Sequence, residues 1–368
     1  SAFPDFPMPE SFPDYPRYDK IFEYIQSYAR HHDLEKNVTF GARVESATRH
    51  EQGGWTVTLG SSEERSYRAL CVAAGNNWIP RLPELAGSFE GEDYHSFNYR
   101  SPAEFEGKRV LIVGAGNSGA DIACDAARNA DKAFLSLRRG YYFVPKFIFG
   151  QPADVFAHNG PQLPSWLEER VFGFLMNTLL VGDLTKYGLP KPDHGILRSH
   201  PILNTQILHH LGHGDIEARG DLEFRADYYV ELRFADGSTE GIDLIVWATG
   251  YERRFPFLSE DDVDERNGII DLYLRAFHRR HPDLFFMGSF ETDGGAYGLY
   301  GQQAEMIAAY LDPALSDQAR SAFDALRATD RPHLRGSRQY LDSPRHAYYV
   351  KSDVYEKALD KAARALRA

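Results

Sequence analysis

The chain has 368 residues, of which 43% are hydrophobic, so it can bury one large core or two ordinary ones. Its 53 acidic residues outnumber 41 lysines and arginines, and the formal charge of −12 argues against nucleic acid or an anionic membrane as the main partner. The two cysteines, Cys71 and Cys124, lie in apolar segments without a C-x-x-C pair, and we interpret both as small buried hydrophobic residues. These features favour a two-domain α/β enzyme.

The first hundred residues alternate between helical and β-type patterns. A Pro- and Phe-rich lead-in precedes residues 18–32, whose apolar side chains recur at helical spacing. β-Type runs follow at residues 37–44, 55–59 and 67–74. The segment 78–108 is rich in Pro, Gly and aromatic residues, and it predicts a connection into a second domain.

A glycine turn follows in residues 109–124, which read RVLIVGAGNSGADIAC. Gly114, Gly116 and Gly119 fit the G-x-G-x-x-G pattern. In that pattern the first glycine makes the tight turn, the second lets a pyrophosphate approach the backbone, and the third lets the helix pack on the strand. The positive N-terminus of the following helix would face the phosphates. The segment therefore predicts a dinucleotide site in a strand–turn–helix unit.

The next strand indicates which dinucleotide would bind. Residues 132–137, KAFLSL, lead directly into Arg138 and Arg139, and no carboxylate stands at the tip of the strand. An NAD site usually has an acidic residue there, whereas arginine accommodates the 2′-phosphate of NADP. Guanidinium groups bind phosphate through paired hydrogen bonds. We predict an NADP site, and the structural alternative is a solvated arginine pair in a loop.

The later residues continue the α/β pattern. The apolar run at residues 171–181 is too short to span a bilayer, so we predict a buried helix, with an interfacial or substrate-channel helix as the alternative. No basic-apolar leader opens the chain, and we expect a cytoplasmic protein. Further elements are predicted as follows: a helix near 165–180, strands at 222–234, 242–251 and 283–288, a D-G hairpin turn at 235–237, a helix at 302–311 and a charged helical tail over 313–368.

Three histidines in the segment LHHLGHG, His209, His210 and His213, include a pair at helical i, i+4 spacing that could hold a metal ion. Gly212 and Gly214 instead indicate the end of a helix, where histidines commonly cap carbonyl groups. We therefore predict no metal site.

Two linked motifs resemble those of the flavin-containing monooxygenase family. The segment FEGEDYHSFNY, with Phe89, Gly91, His95, Ser96 and Tyr99, matches the F-x-G-x-x-x-H-S-x-x-Y fingerprint of that family just ahead of the glycine turn. The lead-in FPDFPMPESFPDYP and the segments VAAGNN, ATGY and FMGSFETDGGAYG resemble further family landmarks in the same order. The similarity extends over nearly the whole chain.

The resemblance implies an α/β fold with two dinucleotide-binding, Rossmann-like domains, in which the NADP domain is inserted into the FAD domain. We predict residues 1–103 and 244–368 as the FAD-binding domain and residues 104–243 as the NADP-binding domain. In the family, NADPH reduces FAD, the reduced flavin forms a hydroperoxide with O₂, and one oxygen passes to a soft nucleophile, an amine nitrogen or a sulfide sulfur. Because the cofactor supplies this chemistry, no catalytic side chain is predicted.

The resemblance also suggests cofactor contacts beyond the three glycines and two arginines. Asn117, Ser118 and Asp121 correspond to NADP contacts, although Asp121 could equally be a first-turn carboxylate favoured by the helix dipole. Thr249 and Gly250 in the ATG turn are predicted near a cofactor. Further candidates are Gln302 and Gln303 on the flavin side, His95 as a packing element rather than a base, and residues 141–143 and 297–300 along the substrate path or in the core.

One departure from the family concerns the segment before Ser1. Family members open with a separate glycine turn for FAD and an asparagine that contacts NADP⁺, and this sequence begins after both. A βαβ unit takes roughly 30 residues or more. Two interpretations follow: the sequence is the downstream portion of a longer protein, which we favour, or it is a complete polypeptide that holds FAD poorly.

Three functions remain open on the sequence. The first is an NADPH- and FAD-dependent monooxygenase, similar to N,N-dimethylaniline monooxygenase, whose partners are O₂ and a small-molecule substrate. The second is Baeyer–Villiger oxidation of ketones, against which Tyr99 counts because ketone-oxidising relatives tend to have tryptophan there. The third is a noncatalytic NADP-binding remnant. A homodimer is left open.

Overall fold

The computed structural model describes residues 2–84, 89–153, 155–156, 165–199, 201–223, 231–235, 237–263, 265–266, 269–341, 343 and 346–367. The chain divides into two compact units. The first unit consists of Ser1–Asn76, Arg254–Ser337 and Asp342–Ala368, and the second of Asn77–Arg253 and Arg338–Leu341. Both units contain helices and strands, which confirms the predicted α/β class.

The helices of the described residues are α1 (Tyr18–His31), α2 (Asn117–Asn129), α3 (Ser165–Phe174), α4 (Gln206–His213), α5 (Tyr297–Leu311), α6 (Asp317–Thr329) and α7 (Ser352–Ala365). Short 3₁₀ turns include Glu35–Asn37 and Pro102–Phe105, and a π-helical segment, Leu175–Leu180, continues α3. No helix in the described ranges is long and apolar enough to cross a bilayer.

The strands of the first unit are β1 (Val44–Arg49), β2 (Trp55–Leu59), β3 (Glu64–Tyr67), β4 (Leu70–Val72), β17 (Glu265–Arg266), β18 (Ile269–Ile270), β19 (Leu272–Tyr273), β20 (Phe277–His278), β21 (Leu284–Phe286), β22 (Glu291–Thr292) and β23 (Tyr349–Val350). Those of the second unit are β5 (Ile79–Pro80), β6 (Glu92–His95), β7 (Arg109–Val113), β8 (Lys132–Ser136), β9 (Phe147–Ile148), β10 (Gln151–Pro152), β11 (Ile216–Arg219), β12 (Leu222–Glu223), β13 (Glu231–Phe234), β14 (Thr239–Gly241), β15 (Leu244–Trp247) and β16 (Tyr251–Glu252).

The second unit is built on a five-stranded parallel sheet in the order β11-β8-β7-β15-β6. Its central strands are continuous apolar runs because both faces are covered, and Val110, Leu111 and Ile112 are fully buried. Helix α2 connects β7 to β8 and buries Ala120 and Ala123. The predicted strand–turn–helix–strand over residues 109–137 is therefore confirmed.

Strand β6 was predicted as part of a connection, and this prediction was wrong. Its sequence, Glu-Asp-Tyr-His, has no apolar run, because β6 is the edge strand of the described sheet, with β15 as its one neighbour there. Both strands lie outside the predicted domain of residues 104–243 but pair within the sheet of the second unit. Which cofactor each unit holds stays a prediction.

The first unit combines an antiparallel sheet, a mixed sheet and a helical layer. Strands β1-β2-β3 form one sheet, and β19-β20-β21-β4 form another in which β21 and β4 run parallel. Helices α5, α6 and α7 cover a core of aromatic side chains that includes Phe277, Phe285, Phe323 and Tyr355. This unit confirms the predicted helices near 302–311 and in the tail.

Two predictions fail in the first unit, both at β-type segments. Between Asn37 and Val44 the chain forms no strand, and the side chains of Val38 and Phe40 are 49% and 76% exposed. A β-type sequence needs a neighbouring strand, and within the described residues only Val44, the first residue of β1, has one. Cys71 is exposed rather than buried, whereas Cys124 is buried, and burial raises its pKa to about 11.

Several predicted features of the second unit have mixed outcomes. The hairpin β13–β14 is present, but Asp236 of its predicted D-G turn and residues 224–230 of the predicted strand lie outside the described residues. In the apolar run 171–181, Met176 is buried, while Val171 and Phe174 are exposed. The run is therefore a half-buried helix that changes to π-helical geometry, not a fully buried one.

Candidate functional site

The glycine turn between β7 and α2 has the close backbone approaches that its motif predicts. Gly114 has φ +100°, and a Cβ atom there would lie 2.6 Å from the carbonyl oxygen of Ala248. A Cβ atom on buried Gly119 would overlap the carbonyl oxygen of Gly114. Only glycine fits at either position, because one makes the turn and the other lets α2 pack against it.

The second glycine of the motif, Gly116, is the N-cap of α2 in an extended conformation, with φ −63° and ψ 178°. Asn117 and Ser118 follow as the first helical residues, and both are exposed. The first N–H groups of any helix lack partners within the helix, so this exposed end can receive an anion. The geometry agrees with a phosphate-binding turn.

Asp121 has a structural partner. Its carboxylate accepts a hydrogen bond from the Asn204 Nδ2 group at 2.7 Å, and the Asn204 Oδ1 atom accepts one from the backbone N–H of Ile207 in α4. Asp121 therefore links α2 to the start of α4. Its contact with NADP, predicted from the resemblance, stays a prediction.

The two arginines after β8 lie in different environments. Arg138 is exposed, and no ion-pair partner for it is found among the residues described. Arg139 is half-buried, and its Nη2 atom lies 2.8 Å from the Oδ2 atom of Asp193. The pKa of Asp193 falls to about 2 because Arg139 and His194 both bond its carboxylate. Sequence reasoning missed Asp193, which is 54 positions beyond Arg139 and belongs to no motif.

The Ala-Thr-Gly turn at the end of β15 lies beside the glycine turn. The N–H group of Ala248 donates to the Val113 carbonyl, and the Thr249 hydroxyl donates to the Arg81 carbonyl. Gly250 has φ +87°, and its carbonyl accepts a hydrogen bond from the N–H group of Arg81. Thr249 and Gly250 thus lie in the same unit as the glycine turn, and Arg81 is a neighbour that sequence reasoning missed.

His95 joins the fingerprint segment to this turn. Its Nε2 atom lies 2.9 Å from the Gly250 carbonyl oxygen, and its Nδ1 atom accepts the Phe97 N–H group at 3.1 Å. The ring is buried, and burial lowers the pKa of His95, so the neutral imidazole is favoured. This geometry agrees with a packing role and leaves no free nitrogen for proton transfer.

Other fingerprint residues also make structural contacts. A Cβ atom on Gly91 would overlap the ring of Phe89, and it would lie 2.9 Å from the Asp243 carbonyl oxygen. The Tyr99 hydroxyl donates to Asp125, and its ring stacks on Phe105. The fingerprint therefore secures the edge strand β6 and the segment after it.

The flavin-side candidates lie in the first unit, near the start of α5. Gln303 is fully buried, where it accepts from the Gly288 N–H group and donates to the Tyr355 hydroxyl. The amide oxygen of Gln302 is buried and has no hydrogen-bond partner among the described residues. Gln303 is thus a core residue, and Gln302 has an acceptor available for a ligand.

The predicted aromatic positions separate into two groups. Tyr141, Tyr142 and Phe143 line a cavity of about 540 Å³ in the second unit. Tyr297 stacks on Phe3, and Tyr300 packs against Phe290, as core residues do. The cavity agrees with the substrate-path interpretation only for the first group.

The three histidines occupy the end of α4. His213 bonds the carbonyl oxygen of His209 through Nδ1 at 3.0 Å, and His210 bonds Asp215 at 2.9 Å. Gly214 ends the helix in the left-handed conformation, as predicted. No group of three or more potential metal ligands is found within the described ranges.

A parallel sheet with a glycine turn at the N-terminus of its first helix defines an α/β dinucleotide-binding protein. Residues 1–312 match the family described as FMO-like, flavin-binding monooxygenase-like, and the chain belongs to that family. The predicted family is therefore confirmed.

Two known proteins that are similar to this chain belong to the same family. The chain is 33% identical to flavin-containing monooxygenase 3 of Homo sapiens over 75% of this chain and 54% of that protein. It is 32% identical to dimethylaniline monooxygenase [N-oxide-forming] 2 of Cavia porcellus over 83% of this chain and 60% of that protein. The chain thus spans little more than half the length of the curated relatives it matches.

The fold is also that of solved flavin monooxygenases. Cyclohexanone monooxygenase from Rhodococcus sp. Phi1 bound to NADP⁺ superposes with a TM-score of 0.64 at 17% identity, covering 95% of this chain and 83% of that one. A further structure of this fold is a complex with FAD and NADP. These comparisons confirm the Rossmann-like fold, and the family description names a flavin as the group that its members bind.

Proposed function

We propose that the protein is an NADPH- and FAD-dependent monooxygenase that transfers one oxygen atom of O₂ to a soft nucleophile, an amine nitrogen or a sulfide sulfur. The observation that carries the proposal is the glycine turn, where Gly114 and Gly119 make approaches that no side chain permits. Family membership supports monooxygenase chemistry. The relative named as N-oxide-forming supports nitrogen as the acceptor.

The residues of the second unit fit NADP. The exposed N-terminus of α2, with Gly116, Asn117 and Ser118, would hold the pyrophosphate. Arg138 and Arg139, at the end of the next strand, would hold the 2′-phosphate. These residues bind and orient the nucleotide and require no change of their own protonation.

The residues of the first unit offer a more limited fit to FAD. The amide oxygen of Gln302, which is buried and has no hydrogen-bond partner in the part of the chain that the structure describes, can accept a hydrogen bond from a ligand. Helix α5 also begins after Gly294, Gly295 and Ala296, which carry no bulky side chains to obstruct a ligand. The chemistry that FAD supplies when bound is the transfer of electrons from NADPH to O₂. We propose that Gln302 and the start of α5 form part of its site.

The chain's own residues position the cofactors and do not react. His95 holds the Ala-Thr-Gly turn through Gly250 and stays neutral because burial lowers its pKa. Thr249 is held by the Arg81 carbonyl. A fixed turn beside the glycine turn keeps the nucleotide-binding edge of the sheet rigid, which is what an enzyme that relies on cofactor chemistry requires.

Product analysis tests the proposal directly. The protein is reconstituted with FAD and NADPH and is supplied in turn with N,N-dimethylaniline, a dialkyl sulfide and cyclohexanone. We expect NADPH-dependent N-oxide or sulfoxide, each 16 mass units heavier than its substrate. Lactone alone would favour Baeyer–Villiger oxidation, for which the cyclohexanone monooxygenase fold gives precedent. NADP binding without any product would favour a noncatalytic NADP-binding protein.

Three further expectations belong to this proposal. The partners are O₂ and a small-molecule substrate, the location is the cytoplasm, and the protein can form a homodimer. Light scattering of the purified protein tests for the homodimer, and fractionation of the source cell tests the cytoplasmic location.

A further inference from the structure

The loop at residues 190–194 packs directly against Gly140, in the segment that follows β8. A Cβ atom on buried Gly140 would overlap the carbonyl oxygen of Pro190 and would lie 2.5 Å from the nitrogen of Pro192. Only glycine at position 140 permits this approach. The two prolines restrict their own φ angles, so the loop presents Asp193 to Arg139 in a defined orientation.

Asp193 is held from both sides of its carboxylate. Its Oδ2 atom lies 2.8 Å from Arg139 Nη2, and its Oδ1 atom lies 2.8 Å from His194 Nδ1. The His194 side chain is only 2% exposed, and the Tyr142 hydroxyl donates to its carbonyl oxygen. Arg139 and His194 lower the pKa of Asp193 to about 2, so the carboxylate stays charged even in mildly acidic solution.

The ion pair is also open to exchange. The side chains of Arg139 and Asp193 are 35% and 56% exposed. Exposed ion pairs contribute little to stability, so a phosphate group can displace the carboxylate at small cost. A carboxylate beside a ribose can instead accept a hydrogen bond from a 2′-hydroxyl, the contact typical of NAD sites.

We propose that Asp193 determines coenzyme selectivity by competing with the 2′-phosphate of NADP for Arg139. The inference rests on the proposed NADP site and deepens it. A carboxylate at this position repels the 2′-phosphate and tolerates the 2′-hydroxyl of NAD. The native loop thereby moderates the preference for NADP that two arginines alone would produce.

Titration calorimetry with NADP⁺ and with NAD⁺ tests the inference on the full 368-residue chain. We expect Asp193→Asn, which keeps the shape of the side chain, to lower the Kd for NADP⁺ by roughly threefold to tenfold at low salt. The Kd for NAD⁺ should not fall. The matched control is Asp183→Asn, because Asp183 is also exposed but bonds Thr185 rather than an arginine. That control should leave both constants unchanged.

A double-mutant cycle separates competition from general electrostatics. If Asp193 acts through Arg139, the gain from Asp193→Asn should disappear in the Arg139→Ala background. The inference is overturned if Asp193→Asn increases the affinity for NADP⁺ equally in that background, or if the single variant does not increase it at all. In either case the proposed function still stands, provided that Arg139→Ala itself weakens NADP⁺ binding. Failure of the unmodified chain to bind NADP⁺ overturns both.

Discussion

In the second unit, β7 and β15 each have a parallel neighbour on both sides, and their apolar side chains are buried on both faces of the sheet. In the first unit, β4 has one neighbour within the described residues, and Cys71 in its centre is exposed. A glycine turn keeps its shape only when the strands beneath it are held. We therefore expect the firmer of the two proposed cofactor sites to lie in the second unit.

The same contrast separates the candidate residues. The nucleotide-binding candidates from Gly114 to Arg139 lie within a single strand–helix–strand segment, whose backbone contacts define the site. The flavin-side candidate Gln302 lies in the first unit, where Val38 and Phe40 are also left exposed. We expect NADP binding by this chain to be robust and FAD binding to be weaker.

The largest expected effect comes from adding one methyl group to the glycine turn. Gly119→Ala puts a Cβ atom into the Gly114 carbonyl oxygen, so the strand and helix must separate. We expect about 3 kcal/mol lower stability, measured by urea denaturation, and loss of NADP⁺ binding. Gly173→Ala in α3 is the control, because nothing lies within 4 Å of its added Cβ atom. Equal stability of the two variants would contradict the packing argument.

The next effect concerns the arginines after β8. Changing both Arg138 and Arg139 to alanine removes the groups that we expect to hold the 2′-phosphate. The preference for NADPH over NADH should fall by about 100-fold, since hydrogen bonds to charged groups contribute about 1.5–3 kcal/mol each. The preference is measured as the ratio of the kcat/KM values for NADPH and NADH, or as the ratio of their Kd values if turnover is absent. An unchanged preference would show that other residues read the phosphate.

A smaller effect tests the first unit through pH. Burial, together with His281 and nearby arginines, lowers the pKa of His278 from 6.5 to about 3, so the folded state keeps this ring neutral. As the pH falls below 6.5, this histidine takes up a proton in the unfolded chain but not in the folded protein. The free energy of unfolding therefore decreases from about pH 6.5 down to about pH 3. We expect a loss of about 2 kcal/mol between pH 7 and pH 5 from this group.

The variant His278→Asn isolates that contribution. An asparagine oxygen can still accept the N–H groups of Arg280 and His281, which now bond the His278 Nδ1 atom, but it does not titrate. Its free energy of unfolding should depend less steeply on pH over this range. A curve parallel to that of the unmodified protein would assign the pH dependence to other groups.

Sequence patterns predicted the structure well where the signal is local. The strand–turn–helix at residues 109–124 was predicted correctly because apolar runs and glycines lie next to one another in the chain. Strand β6 was missed because a polar edge strand carries no hydrophobic pattern. The segment 37–44 was predicted as a strand from composition, but the strand begins only at Val44, where β2 supplies a neighbour, and the residues before it pair with no strand among the described residues.

Contacts between distant positions were beyond sequence reasoning. The pairing of Arg139 with Asp193 depends on the approach of the loop at residues 190–194 to Gly140, and nothing in either segment signals it. The bond from His95 to Gly250 joins two motifs that were recognised separately. Family motifs thus located the candidate site, and the fold was needed to show which side chains are already engaged.

The binding of NADP⁺ to the variant Gly116→Val tests the central claim most directly. The backbone at Gly116, with φ −63° and ψ 178°, is extended and open to any residue, so the variant should fold, with a modest loss of stability because valine is a poorer N-cap than glycine. A valine side chain would fill the space that the pyrophosphate needs, and we expect NADP⁺ binding to be lost in calorimetric titration. A folded variant that binds NADP⁺ as tightly as the unmodified chain would contradict the claim that this turn holds the nucleotide.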